Sequence, residues 1–371
     1  FIMSTIFTFY MKSMERWKIT EMPKKTIYDI AKEAGVSAAT VSRVLTNNAN
    51  VRPEKKKKIL EVIEKYNFRP NALARGLSET KRKIIGVIMA DIRNPFYANL
   101  FVACEQTALA HGYSLFLQNS LSRQETEETQ LNVLEEQRVD AIILVGGRVD
   151  DLNSNERFVE KVNQVSNNIP IVITGKLDGT SCRQVRIDAI KSMDLIMNHL
   201  IGLNHRDIAI IGGYKEVAST FEKRQRYKQI LAKHQIPYRK EFGENFGGYD
   251  YETGYEHMNK LLENGQIPTA VIAINDFAAL GVMGSLAEHG LCVPKDVSIV
   301  SYDNTYICNM AMPKLTSIDY NYDLFAKMLI TTVIAVLEKR ETPIVQLVEP
   351  SLMIRESSQA ARRSGLETVP V

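Results

Sequence analysis

Residues 26–77 constrain this chain more than any other stretch, because they call for two short helices around a tight turn, then a basic helix, then a segment too short to hold a helix alone. Thr26 is a good N-cap, Ile27, Ile30, Ala31 and Ala34 recur at helical spacing, and Gly35 can take the positive φ that stops a helix. Ser37 then caps a second helix, 38–45. Its Val41, Val44 and Leu45 point to a core, while Ala38, Ala39, Ser42 and Arg43 share the opposite face. That face is small enough to enter a DNA major groove. A helix-turn-helix uses this geometry, with the first residues of its second helix at the base edges.

Charge agrees with this reading. Between Lys24 and Lys83 there are fifteen Lys or Arg against six Asp or Glu, a net of +9, whereas the whole chain is +3, so the remainder carries −6. A basic module on a mildly acidic body suits a phosphate footprint. The run Lys55 to Lys58 can be a solvated helix face; beside a helix-turn-helix, phosphate contact is the stronger reading. Residues 69–77, with Pro70 at a helix start and Gly76 near the end, fall below the ~12 residues an isolated helix needs. They read as a plain linker or as a helix that folds only against a partner, the second being favoured by what precedes them.

At 371 residues with 45% apolar and 24% charged side chains, the chain is long enough for two or three packed domains. Cys104, Cys182, Cys292 and Cys308 are scattered without a Cys-x-x-Cys pair, so neither zinc nor a disulfide framework is indicated, and a cytoplasmic setting is expected. The apolar run 6–10 is too short to span a membrane. Met22 looks like a natural beginning, and 1–22 is expected to be an extension outside the fold.

Beyond Lys83 the texture becomes apolar strands (83–90, 114–119, 141–145, 169–174, 207–212, 270–274, 297–302) alternating with amphipathic helices (97–111, 125–137, 191–201, 221–234, 251–264, 276–289). This predicts two Rossmann-like α/β lobes. Ligands in such sheets sit at the carboxyl ends of the strands. There the chain places Asn94 and Phe96 after strand one, then Asp188, then Asn275 with Asp276, then Asp303. Asp and Asn can pair with vicinal hydroxyls, and aromatic faces suit sugars. Helix capping is the competing role for each Asp.

Val36-Ser37-Ala38-Ala39-Thr40-Val41-Ser42-Arg43-Val44-Leu45 resembles the recognition-helix block of LacI/GalR-family transcription regulators. So do Asn71-Ala72-Leu73-Ala74-Arg75-Gly76-Leu77, Asn94-Pro95-Phe96-Tyr97, Asn275-Asp276 and 293–303, and the resemblance runs from Thr26 to about Ser358. It implies a homodimeric repressor of a carbohydrate-utilisation operon. Its parts would be an all-α headpiece (23–69), a hinge helix and linker (70–82) and a periplasmic-binding-protein-like core (83–358), followed by a tail (359–371). Lobe one would take 83–203 plus 319–345, and lobe two 204–318 plus 346–358. Operator contacts are implied for Thr26, Tyr28, Ser37, Ala38, Ala39, Thr40, Ser42, Arg43, Asn50, Asn71, Ala74, Arg75 and Leu77. Within that set Arg43 reads guanine, and Leu77 wedges into the minor groove. Effector contacts are implied for Asn94, Phe96, Asp188, Tyr249, Asn275, Asp276 and Asp303.

Two departures bear on the ligand. Where relatives carry an arginine four residues before an aromatic, this chain has Lys223 before Tyr227, followed by Arg224, and the intervening glycine is Arg226. Either base can be the one that reaches the effector. With Arg93 and Arg186 they suggest a sugar acid or sugar phosphate, or else plain salt pairing. Ser301 also replaces a glycine before the Tyr302-Asp303 pair. A catabolite-control regulator working with a phosphorylated partner protein is the alternative inside the class. An extracytoplasmic sugar-binding protein would lack the headpiece and need a signal peptide. A dehydrogenase would need a glycine fingerprint that 89–94 lacks, so neither enzyme activity nor a cofactor is expected.

Overall fold

The computed structural model describes residues 25–45, 51–66, 68 and 82–361. The chain divides into two compact units between Lys81 and Arg82. In the first, helix α1 (Ile27–Ala34) opens with a capping box. The Asp29 N–H donates to Thr26 Oγ1 at 3.3 Å, and the Thr26 N–H donates to Asp29 Oδ2 at 2.8 Å, so two backbone donors that the helix cannot satisfy are both used. Gly35 stops it at φ 69°. Helix α2 (Ala38–Leu45) follows, and α3 (Pro53–Lys65) starts on Pro53, whose missing N–H costs nothing in the first turn. Ile30, Ala31, Ala34, Val41, Val44, Ile59 and Val62 form the common core. Five of the expected operator positions, Asn50, Asn71, Ala74, Arg75 and Leu77, lie outside the described residues, as do the extension 1–22 and most of the hinge and tail.

The second unit holds two parallel α/β lobes. Lobe one has a six-stranded sheet in the order β10-β5-β4-β3-β1-β2, from β1 (Ile84–Met89), β2 (Ser114–Asn119), β3 (Ala141–Val145), β4 (Ile171–Ile173), β5 (Arg183–Ile187) and β10 (Val345–Val348). Helices α4 (Pro95–Ala110), α5 (Gln124–Glu136), α6 (Glu156–Ser166) and the late helix 322–337 cover it. Lobe two has five strands in the order β11-β9-β8-β7-β6: β6 (Ile208–Ile211), β7 (Ala270–Ala273), β8 (Ser298–Tyr302), β9 (Thr316–Asp319) and β11 (Ser351–Met353), the last antiparallel. Its helices are α7 (Ala189–Gly202), α8 (Ala218–Lys233), α9 (Tyr251–Glu263) and α10 (Asp276–Glu288); helix α11 (Tyr322–Leu337) returns to lobe one.

The lobe boundaries expected from sequence need two corrections. Helix α7, placed in lobe one by the cut at 203, buries Met193, Ile196, Met197 and Leu200 against Ile208, Ile210 and Tyr227 of lobe two, so the first crossing falls near Asp188. Strand β10, partly assigned to lobe two by the cut at 345, pairs with β5 from Val345↔Gln184 to Val348↔Ile187, so the last crossing falls after Val348. Both errors have one cause. Apolar faces can be read from a sequence, but the sheet that covers each face cannot. Helix α11, buried at Phe325, Ala326, Leu329, Ile330 and Val333, went unread because its nearly continuous apolar run carries no amphipathic period.

Candidate functional site

The side of α2 expected to read DNA is the side turned away from the headpiece core. Val41 and Val44 are buried, while Ala39 and Arg43 stand exposed on the other side of α2, and Ala38, Thr40 and Ser42 are half-buried beside them. Ser37 stays exposed, and its Oγ accepts from the Thr40 N–H at 3.3 Å and lies 2.9 Å from Thr40 Oγ1, which fixes the first turn. Thr26 is exposed at the head of α1, and Tyr28 is 73% exposed. Lys55, Lys56, Lys57 and Lys58 are all exposed on α3. Alanine methyls can touch only apolar base edges such as the thymine methyl, whereas the Arg43 guanidinium can donate bidentately to guanine.

In the core, the carboxyl ends of both sheets open into one cleft of about 1000 Å³. From lobe one, Asn94 caps α4 by accepting from the Phe96 N–H at 3.0 Å. That capping sets the Phe96 ring edge-on to Tyr97 at 5.0 Å and to Tyr320 at 5.9 Å. From lobe two, the Tyr249 hydroxyl meets Thr220 Oγ1 at 2.9 Å, and its ring packs edge-on to Tyr214 at 5.7 Å. Asn275 caps α10, accepting from Ala278 N at 2.9 Å, and donates to the Tyr249 carbonyl at 2.8 Å. One amide N–H of Asn275 therefore remains for the cleft. Asp303 is buried at the end of β8 with φ 94°, a strained conformation for a residue other than glycine. Burial pushes its carboxyl up, with Asp276 adding to the shift and Lys223 opposing it. Burial pulls the Lys223 ammonium down.

Six of the residues expected at the effector line this cleft: Asn94, Phe96, Lys223, Tyr249, Asn275 and Asp303. Three do not. Asp188 accepts from the Lys191 N–H at 2.8 Å as the cap of α7, so capping is its role, and its neighbours Ile187 and Ala189 face the cleft instead. Asp276 turns inward, where its carboxylate accepts from Ser301 Oγ at 2.6 Å, Ser317 Oγ at 3.0 Å, Thr305 N at 2.7 Å and Thr305 Oγ1 at 2.8 Å. It has no acceptor capacity left for a ligand. Ser301, which stands where a glycine was expected, is one of those donors. Arg224 donates to the carbonyls of Gly243, Gly212 and Asn245 at 2.7–2.9 Å and lies over the Phe246 ring, so it braces the loops after β6. Arg226 pairs with Asp194 at 2.6 Å.

The structure also adds residues that sequence reasoning missed. The turn Gly147–Asp150 after β3 brings Arg148 and Asp150 to the cleft, and Asp150 Oδ2 accepts from Ser219 Oγ of lobe two at 2.7 Å. Burial lifts the Asp150 carboxyl to about 6 against the pull of Ser219 and Lys223. Beside it, Leu152 N–H donates to the Glu216 carbonyl at 2.6 Å, and Arg186 pairs with Glu222 at 3.0 Å, so three contacts tie the lobes along one wall. Gly146-Gly147, both at positive φ, was the available signal: a strand end followed by two glycines.

The comparisons with known proteins agree with this geometry. The lacI family of bacterial regulatory proteins matches residues 26–71, and the periplasmic binding protein-like domain matches 197–358. Catabolite control protein A of Priestia megaterium is 38% identical over 79% of this chain and 86% of its own length, and that of Staphylococcus epidermidis is 35% identical over the same shares. Among solved structures, a Lac repressor dimer bound to operator and the anti-inducer ONPF is 26% identical with a TM-score of 0.82, covering 91% of this chain and 99% of its own. CcpA of Lactococcus lactis, 23% identical with a TM-score of 0.68 over 76% of this chain and all of its own, shares the fold of the core. With a matching headpiece, a matching core and relatives above one-third identity along most of its length, the chain belongs to the lacI family of bacterial regulatory proteins and is a DNA-binding transcription regulator.

Proposed function

We propose that the chain represses a carbohydrate-utilisation operon, binds its operator as a homodimer and is controlled by a small sugar-like effector held between the lobes. The cleft carries this reading. It joins aromatic faces (Phe96, Tyr249, Tyr320) to convergent polar groups (Asn94, Lys223, Asn275, Asp303), the combination that holds a polyol by stacking and hydrogen bonds. Solved neighbours bind cellobiose and ONPG, which supports a sugar-like ligand. A ligand that prefers the native state raises its melting temperature. A thermal-shift screen over sugars, followed by operator gel shifts with each hit, therefore tests the reading; no hit among sugars of any kind would refute it.

Pairing is supported by the Lac repressor dimer and by exposed apolar side chains on lobe two. Tyr306, Met310 and Met312 are 56%, 73% and 90% exposed, more than a monomer gains by leaving in water. Met310→Asp with Met312→Asp should shift the chain to monomer in sedimentation. The chain is read as a binding protein and not as an enzyme. The second reading, regulation with a phosphorylated partner protein, is favoured by the identity to catabolite control protein A. It predicts operator affinity that rises with that partner and not with any sugar.

A further inference from the structure

Every arginine that lines the cleft is already matched to a carboxylate: Arg93 to Asp91 at 2.6 Å, Arg148 to Asp151 at 2.8 Å and Arg186 to Glu222 at 3.0 Å. Recruiting any of them to an anionic ligand would orphan its partner. Among the described residues the remaining cation of the lining is Lys223, only 8% exposed. Among the described residues it makes no hydrogen bond or ion pair, and its Nζ rests 3.9 Å from the centre of the Tyr302 ring. The opposing charges that act on it are Asp303 of its own lobe, then Asp150 from the other lobe and Glu222 one position before it, the last already paired with Arg186. Further carboxylates, Glu216, Asp250 and Glu252, line the same cleft, and among the described residues none of the three is in an ion pair.

A ligand group entering this place meets the buried Lys223 ammonium, the buried Asp303 carboxyl and the half-buried Asp150 carboxyl, with no ion pair among the three. A hydroxyl suits them, since it accepts from Nζ and donates to a carboxylate oxygen. An amine suits the carboxylates. A ligand carboxylate or phosphate only accepts: it would satisfy Lys223 but set its charge against Asp150, and against Asp303 as pH rises through the value of about 8 to which burial lifts that carboxyl.

We propose that Asp150 and Asp303, one from each lobe and both lining the cleft with Lys223, form a charge filter that admits uncharged or amine-bearing polyhydroxyl ligands and excludes sugar acids and sugar phosphates. The proposal rests on the reading of the cleft as the effector site. It removes the anionic-effector option left open by the cluster of basic residues in the sequence.

The test uses matched ligand sets built on the same ring: glucose, glucosamine, glucuronate and glucose 6-phosphate, with the galactose and mannose counterparts and their disaccharides. Binding to the full chain without DNA is followed by thermal shift and calorimetry at pH 8. The tightest member of any binding set is expected to be neutral or an amine, with its uronate and 6-phosphate at least about tenfold weaker. Asp150→Asn keeps an acceptor for Ser219 and removes one charge, so it should narrow that gap by about tenfold. An anionic member that binds wild type most tightly overturns the filter and leaves the effector reading standing. Silence from every set overturns both. If Asp150→Asn does not fold, wild type decides the matter with the uronate. Asp303 takes up a proton as pH falls through about 8, and Asp150, which faces Lys223 and Arg186, does so below about 6, so the gap must shrink between pH 8 and pH 5; an unchanged gap overturns the filter.

Discussion

In the headpiece, the residues expected to read bases share one side of one eight-residue helix, whereas in the core the residues that line the cleft come from separate segments between Asp91 and Phe325. The first arrangement is written in helical periodicity. Burying Val41 and Val44 forces Ala39 and Arg43 outward, so the role of each follows from its neighbours three and four positions away. In the core, periodicity shows that a strand ends in a polar residue, but not whether that residue turns to the ligand or back into the protein. Asp276 and Asp303 illustrate the point. Both lie at strand ends of lobe two and both are buried, yet Asp276 spends its oxygens on Ser301, Thr305 and Ser317 while Asp303 faces the cleft.

The largest expected effect would break this contrast if it failed. Asp276→Ala leaves four buried donors from three residues without an acceptor and should cost about 3 kcal/mol of core stability, read as a lower melting temperature with or without ligand. A variant that melts like wild type but no longer responds to effector would return Asp276 to the binding site. Arg43→Ala is next in size. It should relax discrimination at one guanine and cost about 1 to 3 kcal/mol of operator binding without moving the melting temperature of the core. Equal losses on operator and random DNA would show that Arg43 touches phosphate and not a base.

A smaller effect concerns Glu127, which supports the turn carrying Asp150. Burial lifts its carboxyl from the ordinary 4.5 to about 7, although the Arg148 N–H and Ser120 hydroxyl favour the charged form. The folded protein therefore keeps a proton that the unfolded chain has lost, so this group's contribution to stability is greatest below 4.5 and declines as pH rises to about 7. Glu127→Gln should flatten that decline and gain on the order of 1 kcal/mol at pH 8, measured by urea unfolding at several pH values. A loss at pH 8 would mean that the charge is needed. Lys56→Ala should have the least effect, weakening all DNA sequences alike by less than about 1 kcal/mol and lowering the salt slope by about one.

Much of this molecule is legible before any coordinates. The N-cap at Thr26, the stop at Gly35 and the apolar faces of α1 and α2 are local, and they fall where the sequence places them. The two parallel sheets follow from alternating apolar runs. What escaped is set by long-range packing. Examples are the allegiance of α7 to lobe two, the late strand β10 completing lobe one, and the choice between adjacent bases Lys223 and Arg224. On a helix, adjacent residues point about 100° apart. A phase that could be resolved only against Gly212, Gly243 and Asn245 therefore decides which of the two faces the ligand.

The central claim is that ligand in the cleft governs the affinity of the headpiece for operator. It is tested most directly by titrating operator DNA with full-length protein, with and without the sugar that gives the largest thermal shift, for wild type and Asp303→Asn. The account predicts at least about a fivefold change in operator Kd for wild type, as expected of an allosteric coupling. In Asp303→Asn that response should be lost while operator Kd without ligand stays at the wild-type value. A ligand that binds wild type tightly yet leaves operator Kd unchanged would contradict it.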